Sequence, residues 1–125
     1  MLQQSPMYSY IPATDVARAR EFYERKIGFK PGRELNGGVV YECAGGTAGF
    51  LYLTPNAGTS KASQAFWEVP DIESEVAELK RRGVTFEQYG MPGTDANGIT
   101  TGGGAKAAWF KDSEGNIMAI IQTLR

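Results

Sequence analysis

The side chains most used in enzyme chemistry are sparse in this chain, and one type is missing. No histidine occurs among the 125 residues. That removes Ser-His-Asp triads, Cys-His pairs and imidazole metal ligands within one chain. Cys43 is the single cysteine, so an intramolecular disulfide and a cysteine-only zinc site are excluded, and a reducing compartment is implied. A nucleophilic thiol needs an activating neighbour; without histidine, Cys43 reads as a small packing residue. Glu68 follows Phe66 and Trp67. A carboxylate enclosed by aromatic rings could hold a raised pKa and act as a general base, and the competing reading is a strand end in water. Residues 91–104 include glycines at 93, 98, 102, 103 and 104. They lack the G-x-x-x-x-G-K-[ST] pattern and a following helix start, so they read as a mobile loop rather than a phosphate cradle. No catalytic set emerges from these residues.

The elements that must position them follow one pattern twice. Thr14-Asp15-Val16 leads to Ile27-Gly28-Phe29, and Pro70-Asp71-Ile72 leads to Arg82-Gly83-Val84. In each half a short strand ends at an Asp whose carboxylate can accept the free amides of a helix start. The helix carries its apolar residues on one face: Val16, Ala19, Tyr23 and Ile27 in the first, Ile72, Val76 and Leu79 in the second. A glycine ends each helix. Three strands are predicted after each: 29–35, 39–44 and 49–54, then 85–89, 105–111 and 116–122. Turn residues separate most of them, including Asn36-Gly37-Gly38 and Ser113-Glu114-Gly115-Asn116. The class is α+β, with β-α-β-β-β modules over 5–55 and 62–125 and a polar linker between. One helix covers one face of its sheet, so the modules are expected to share a single domain, 1–125.

Composition sets the outer limits. Hydrophobic residues make up 42% of the chain, and 13 basic against 14 acidic side chains leave a net charge of -1. That balance gives no reason to expect nucleic acid or an anionic membrane as partner. Apolar runs such as 117–121 fall far short of the roughly 20 residues that span a bilayer. Residues 1–6 show neither a basic nor an apolar leader segment, and the expected location is cytoplasmic.

Asp15-Val16 through Glu21-Phe22-Tyr23 and Ile27-Gly28-Phe29, then Val69-Pro70-Asp71-Ile72, and above all Trp109-Phe110-Lys111-Asp112-Ser113-Glu114-Gly115-Asn116 resemble the vicinal oxygen chelate superfamily. Its members include glyoxalase I, extradiol dioxygenases, fosfomycin-resistance enzymes and bleomycin-binding proteins. The last run resembles that family's Asp-Pro-Asp-Gly-Asn turn, with Ser113 and Glu114 as departures. The resemblance covers nearly the whole chain. It implies sheets curled into a cup, helices outside and a ligand on the concave face. It also implies where metal ligands would stand. Those positions hold Tyr8, Gln64, Ala119 and, depending on register, Phe50 or Tyr52. A phenol that titrates near pKa 10, a neutral amide and a methyl group make a poor divalent site. No metal and no cofactor is expected.

Strand alternation then extends the implied concave face from Tyr8 to Tyr10, from Gln64 to Phe66 and Glu68, and from Ala119 to Ile117 and Ile121. In fosfomycin-resistance relatives the residue three before the turn Asp touches substrate. Here that residue is Trp109, with Tyr41 as its counterpart in the first module. The expected ligand-binding set is Tyr8, Tyr41, Tyr52, Gln64, Phe66, Glu68 and Trp109. Such a wall suits a planar or apolar small molecule, although aromatic residues on strands serve equally often as core. Trp67 and Phe110 alternate to the helix side. The leading expectation is a metal-free binding or resistance-type protein, acting as a homodimer in which modules of both copies form the cups. The alternative is a lyase, isomerase or dioxygenase using Gln64 with Glu42 or Glu68 at an atypical metal site.

Overall fold

Asp15 and Asp71 start the two helices. The Asp15 carboxylate accepts from the Arg18 amide at 3.0 Å and the Asp71 carboxylate from the Ser74 amide at 3.4 Å, so each satisfies an amide that has no partner within the helix. The computed structural model describes residues 1–90 and 93–124. Helix α1 runs Val16–Glu21 and continues as wider π-type turns over Phe22–Ile27; α2 is Ile72–Arg81. Gly28 closes the first helix at φ 91°, a conformation costly for any residue with a Cβ.

Eight strands divide into two four-stranded mixed sheets. Strands β1 (Tyr8–Ala13), β2 (Glu34–Leu35), β3 (Gly38–Glu42) and β4 (Ala48–Leu53) form the first, in the order β1-β4-β3-β2. Strands β5 (Ala65–Glu68), β6 (Ile99–Gly102), β7 (Ala105–Lys111) and β8 (Ile117–Thr123) form the second, in the order β5-β8-β7-β6. The outer pairs β1/β4 and β5/β8 are parallel and the rest antiparallel. The two halves thus share one topology, and β1 and β5 are both edge strands.

Three predicted elements differ. The strand expected at 85–89 is reduced to one bridge, Phe86 with Phe110. The strand expected at 29–35 is paired as a strand only over Glu34–Leu35, since Pro31 has no amide to donate. Of the glycine-rich loop expected at 91–104, residues 91 and 92 lie outside the described residues. From 95 onward the chain is ordered by pairing: the Asp95 carboxylate accepts from the Asn97 and Ile99 amides, β6 follows, and Gly103-Gly104 turn it back into β7.

One apolar cluster joins the helix-bearing faces of both sheets. It includes Ile11, Ala13, Val39, Tyr41 and Leu51 from the first, Ala108, Phe110, Met118 and Ile120 from the second, and Phe22, Tyr23, Ile72, Val76 and Leu79 from the helices. Rings cross the boundary between halves: Phe22 lies 6.2 Å from Phe110 and Phe29 lies 5.8 Å from Trp67. Each buried aromatic side chain contributes roughly 1.5–3 kcal/mol.

A polar clasp pins the same boundary. The Glu114 side chain is fully buried, and its carboxylate accepts from the Thr14 amide and hydroxyl, the Asp15 amide and the Arg18 guanidinium at 2.8–3.1 Å. Asn116 donates to the Pro12 carbonyl at 2.7 Å and accepts from the Gly58 amide at 3.1 Å. Tyr23 donates its hydroxyl to Asp112 at 2.5 Å. Burial acts to raise the Glu114 pKa, but Arg18 and the converging amides and hydroxyls outweigh it and hold the carboxyl at about 2.

Candidate functional site

With the helices on one face of each sheet, the other face is open. In the first sheet alternation gives that outer face Tyr8, Tyr10 and Pro12 from β1, Val40 from β3, and Phe50 and Tyr52 from β4. Phe50 and Tyr52 share this face, and Leu51 between them is core. Tyr10 packs 4.9 Å from Tyr52 and 6.1 Å from Phe50, and the rings of Phe50 and Tyr52 stack at 6.2 Å. This aromatic band remains open to solvent, with Tyr10 60% and Tyr8 46% exposed. A hollow of about 260 Å³ lies on it, between Tyr8, Tyr10, Phe50, Val40, Leu35 and Arg33.

A larger cleft of about 560 Å³ opens between the edge strands β1 and β5. Ile11, Phe29, Trp67 and Met118 form its apolar wall; Tyr8, Gln64 and Phe66 stand at its polar and exposed side, with Cys43 and Thr47 beside them. Gln64 reaches across the gap and donates to the Tyr10 carbonyl at 3.4 Å. No Asp, Glu, Lys or Arg lines the cleft, so it favours an apolar body and offers one amide to orient it. Tyr8 lines both the cleft and the hollow.

Of the seven residues expected to meet a ligand, the structure brings Tyr8, Gln64 and Phe66 to the cleft. Tyr52 stands apart from it in the aromatic band. Trp109 lies on the outer face of the second sheet with its ring edge against Tyr89 at 5.5 Å. Glu68 is exposed and accepts from the Thr123 hydroxyl at 2.7 Å. It borders a separate depression with Val69, Pro70, Gln122 and Thr123, and so is not grouped with Gln64.

Tyr41 is a correction: it faces the helix, not the open side. Its ring is completely buried, 6.0 Å from Tyr23 and 5.2 Å from Phe29, and its hydroxyl donates to Glu24 at 2.9 Å. Burial and the adjacent Glu24 carboxylate push that hydroxyl well above the usual tyrosine range. In Val39-Val40-Tyr41 all three residues are apolar or aromatic, so no alternation in the sequence marks which face is inward. Sequence reasoning also passed over Arg33, Phe29 and the clasp role of Glu114. Phe29 carried a usable signal as the apolar residue directly after the helix-ending glycine; Arg33 and Glu114 carried none.

Residues 7–120 match the profile of the Glyoxalase/Bleomycin resistance protein/Dioxygenase superfamily. The chain belongs to that superfamily. Among solved structures, this superfamily member is similar to TnmS3, an antibiotic binding protein from Streptomyces sp. CB03234, at 21% identity and TM-score 0.77 with 98% of each chain covered. It is similar to a glyoxalase/bleomycin resistance protein/dioxygenase from Alicyclobacillus acidocaldarius, at 17% identity and TM-score 0.75 over 98% of this chain and 93% of that one. A glyoxalase/bleomycin resistance protein from Streptomyces sp. CB03234 aligns at 20% identity and TM-score 0.70, covering 93% of this chain and 98% of the other. At these identities the likeness establishes the fold. No curated protein matches the chain in sequence.

Metal-dependent members of the superfamily set a test for this member's own residues. The positions that the resemblance assigns to ligands hold the Tyr8 phenol, the Gln64 amide, the Ala119 methyl group and the aromatic ring of Phe50 or Tyr52. Among the described residues no three Asp, Glu, Cys or His side chains converge. This donor set does not fit a divalent cation, and no chemical step is assigned through one.

Proposed function

We propose that this superfamily member is a metal-free binding protein for a small aromatic or amphipathic molecule, in a sequestration or resistance role. The observation that carries the reading is the continuity of the neutral cleft with the exposed aromatic band through Tyr8. Tyr8, Gln64 and Phe66 are its primary contacts, with Tyr52 on the adjoining band. A volume of a few hundred Å³ lined mainly by apolar and aromatic groups is what a drug-sized ligand requires. The antibiotic binding protein that shares this fold supports the reading.

The protein acts as a homodimer in this proposal. Tyr10 and Phe66, on the open faces of the two sheets, are each 60% exposed, and exposed apolar area of this kind favours coverage by another surface. A second copy would set its second sheet, with Phe66, Glu68 and Trp109, against the first sheet of the other and close a shared cup around the ligand. A reducing, cytoplasmic setting suits the lone free thiol of Cys43. No described helix is long and apolar enough to cross a membrane.

The neutral dye N-phenyl-1-naphthylamine tests the reading on untagged protein. Saturable binding with slower iodoacetamide alkylation of Cys43, both lost in Tyr8→Ser with Phe66→Ser, is the expected result. Absence of saturable binding by the native chain, or binding indifferent to that pair, overturns it. So does near-stoichiometric retention of zinc, nickel, manganese or ferrous iron after removal of excess.

A further inference from the structure

We propose that Arg33 is an anion subsite at the end of the aromatic band, which makes the preferred ligand a planar aromatic acid rather than a neutral or cationic aromatic. The inference rests on the binding-protein reading above and adds the chemical class.

Register places Arg33 in line with the rings. The Val40 amide donates to the Arg33 carbonyl at 2.8 Å, Val40 pairs with Phe50, and Phe50 pairs with Tyr10. Residues opposite one another on neighbouring strands project from the same face. One row across the sheet therefore reads Arg33, Val40, Phe50, Tyr10, and all four line the same 260 Å³ hollow. A ring lying on Tyr10 and Phe50 would place a substituent at its edge toward the guanidinium.

The charge pattern around Arg33 sets it apart. Six arginines are described, and five of them, at 18, 20, 25, 81 and 82, have a carboxylate within 4.0 Å. Arg33 has none, and its side chain makes no hydrogen bond among the described residues. No acid lines the hollow. Glu34, its sequence neighbour, is engaged by Arg20 at 3.8 Å, and Glu42, the acid on the same face of β3, lies outside the lining. The larger cleft contains no charged side chain at all. Arg33 is therefore the one described cation that the two adjoining hollows present to a ligand. Its planar fork suits two-point contact with a carboxylate or sulfonate, and aromatic neighbours suit a guanidinium and a ring at once. Because Arg33 is exposed, the preference is modest and falls with salt.

Two dyes with the same ring system isolate the charge. 8-Anilino-1-naphthalenesulfonate differs from N-phenyl-1-naphthylamine by its sulfonate alone. On the native protein at low salt the sulfonate should bind about 5- to 10-fold more tightly, and the preference should shrink at high salt. Arg33→Gln should abolish the preference while leaving the neutral dye's affinity and the thermal unfolding midpoint unchanged. Equal affinities on the native protein overturn the anion subsite and leave the aromatic site standing. A preference that survives Arg33→Gln overturns the assignment to Arg33. Failure of both dyes to bind overturns the aromatic site and the subsite together.

Discussion

The two faces of the first sheet use the same residue types to opposite ends. On the helix side Tyr41 packs on Tyr23 and Phe29 and donates to Glu24, and Tyr23 donates to Asp112, so both rings are buried and both hydroxyls are matched. On the open side Tyr10, Phe50 and Tyr52 touch mainly one another, and the hydroxyls of Tyr10 and Tyr52 have no partner among the described residues. A tyrosine can be taken fully out of water only where the fold supplies an acceptor for its hydroxyl. Glu24 and Asp112 fill that need inside. Among the described residues no acid accepts from the hydroxyls of the outer band, which leaves ring area for a ligand or a second copy. The contrast separates aromatic residues that hold the fold from those free to bind.

Substitutions should break that contrast unequally. Phe110 meets Phe22, Trp67 and Phe86 at the boundary between halves, and Phe110→Ala should cost about 3–5 kcal/mol in denaturant unfolding. A loss below about 1 kcal/mol would show that the halves are not joined through this cluster.

The polar clasp should give the next largest effect, and a pH signature. The folded Glu114 carboxyl is held at about 2, below the value of about 4.3 expected in an unfolded chain. Its contribution is therefore fully present above the unfolded value and is lost as pH falls from there through about 2. Glu114→Gln should cost roughly 2–3 kcal/mol at neutral pH and should flatten the acid limb of the stability curve. An acid limb identical in both proteins would assign it to other carboxylates.

The smallest effect belongs to the outer band. Tyr10→Ser should change stability by no more than about 0.5 kcal/mol, yet weaken dye binding and shift the sedimentation profile toward the monomer. A large loss of stability in the isolated subunit would move Tyr10 into the same class as Tyr41.

Much of the fold was legible because its signals are local. Asp15 and Asp71 before amphipathic segments marked both helix starts, Gly28 and Gly83 marked both ends, and the repeat of that grammar marked two modules. Strand β7 lies where predicted, at Ala105–Lys111, with Phe110 in the core. The candidate site was less legible. The family resemblance, counted from the helix-starting Asp residues, pointed to Tyr8 and Gln64, and alternation from Gln64 pointed to Phe66; all three line the cleft. The orientation of Tyr41 was not legible, since Val39-Val40-Tyr41 offers no polar position to orient the strand.

By itself the sequence determined the absence of imidazole side chains and the two-module α+β order, because each depends on residue types or on neighbours a few positions away. Tertiary structure decided which face of β3 is inward, that Glu114 clasps the start of α1, and that Arg33 lies in a row with Phe50 and Tyr10. Those outcomes depend on pairing between distant segments, where burial of one surface excludes the other and a charge takes its meaning from whatever the fold brings within reach.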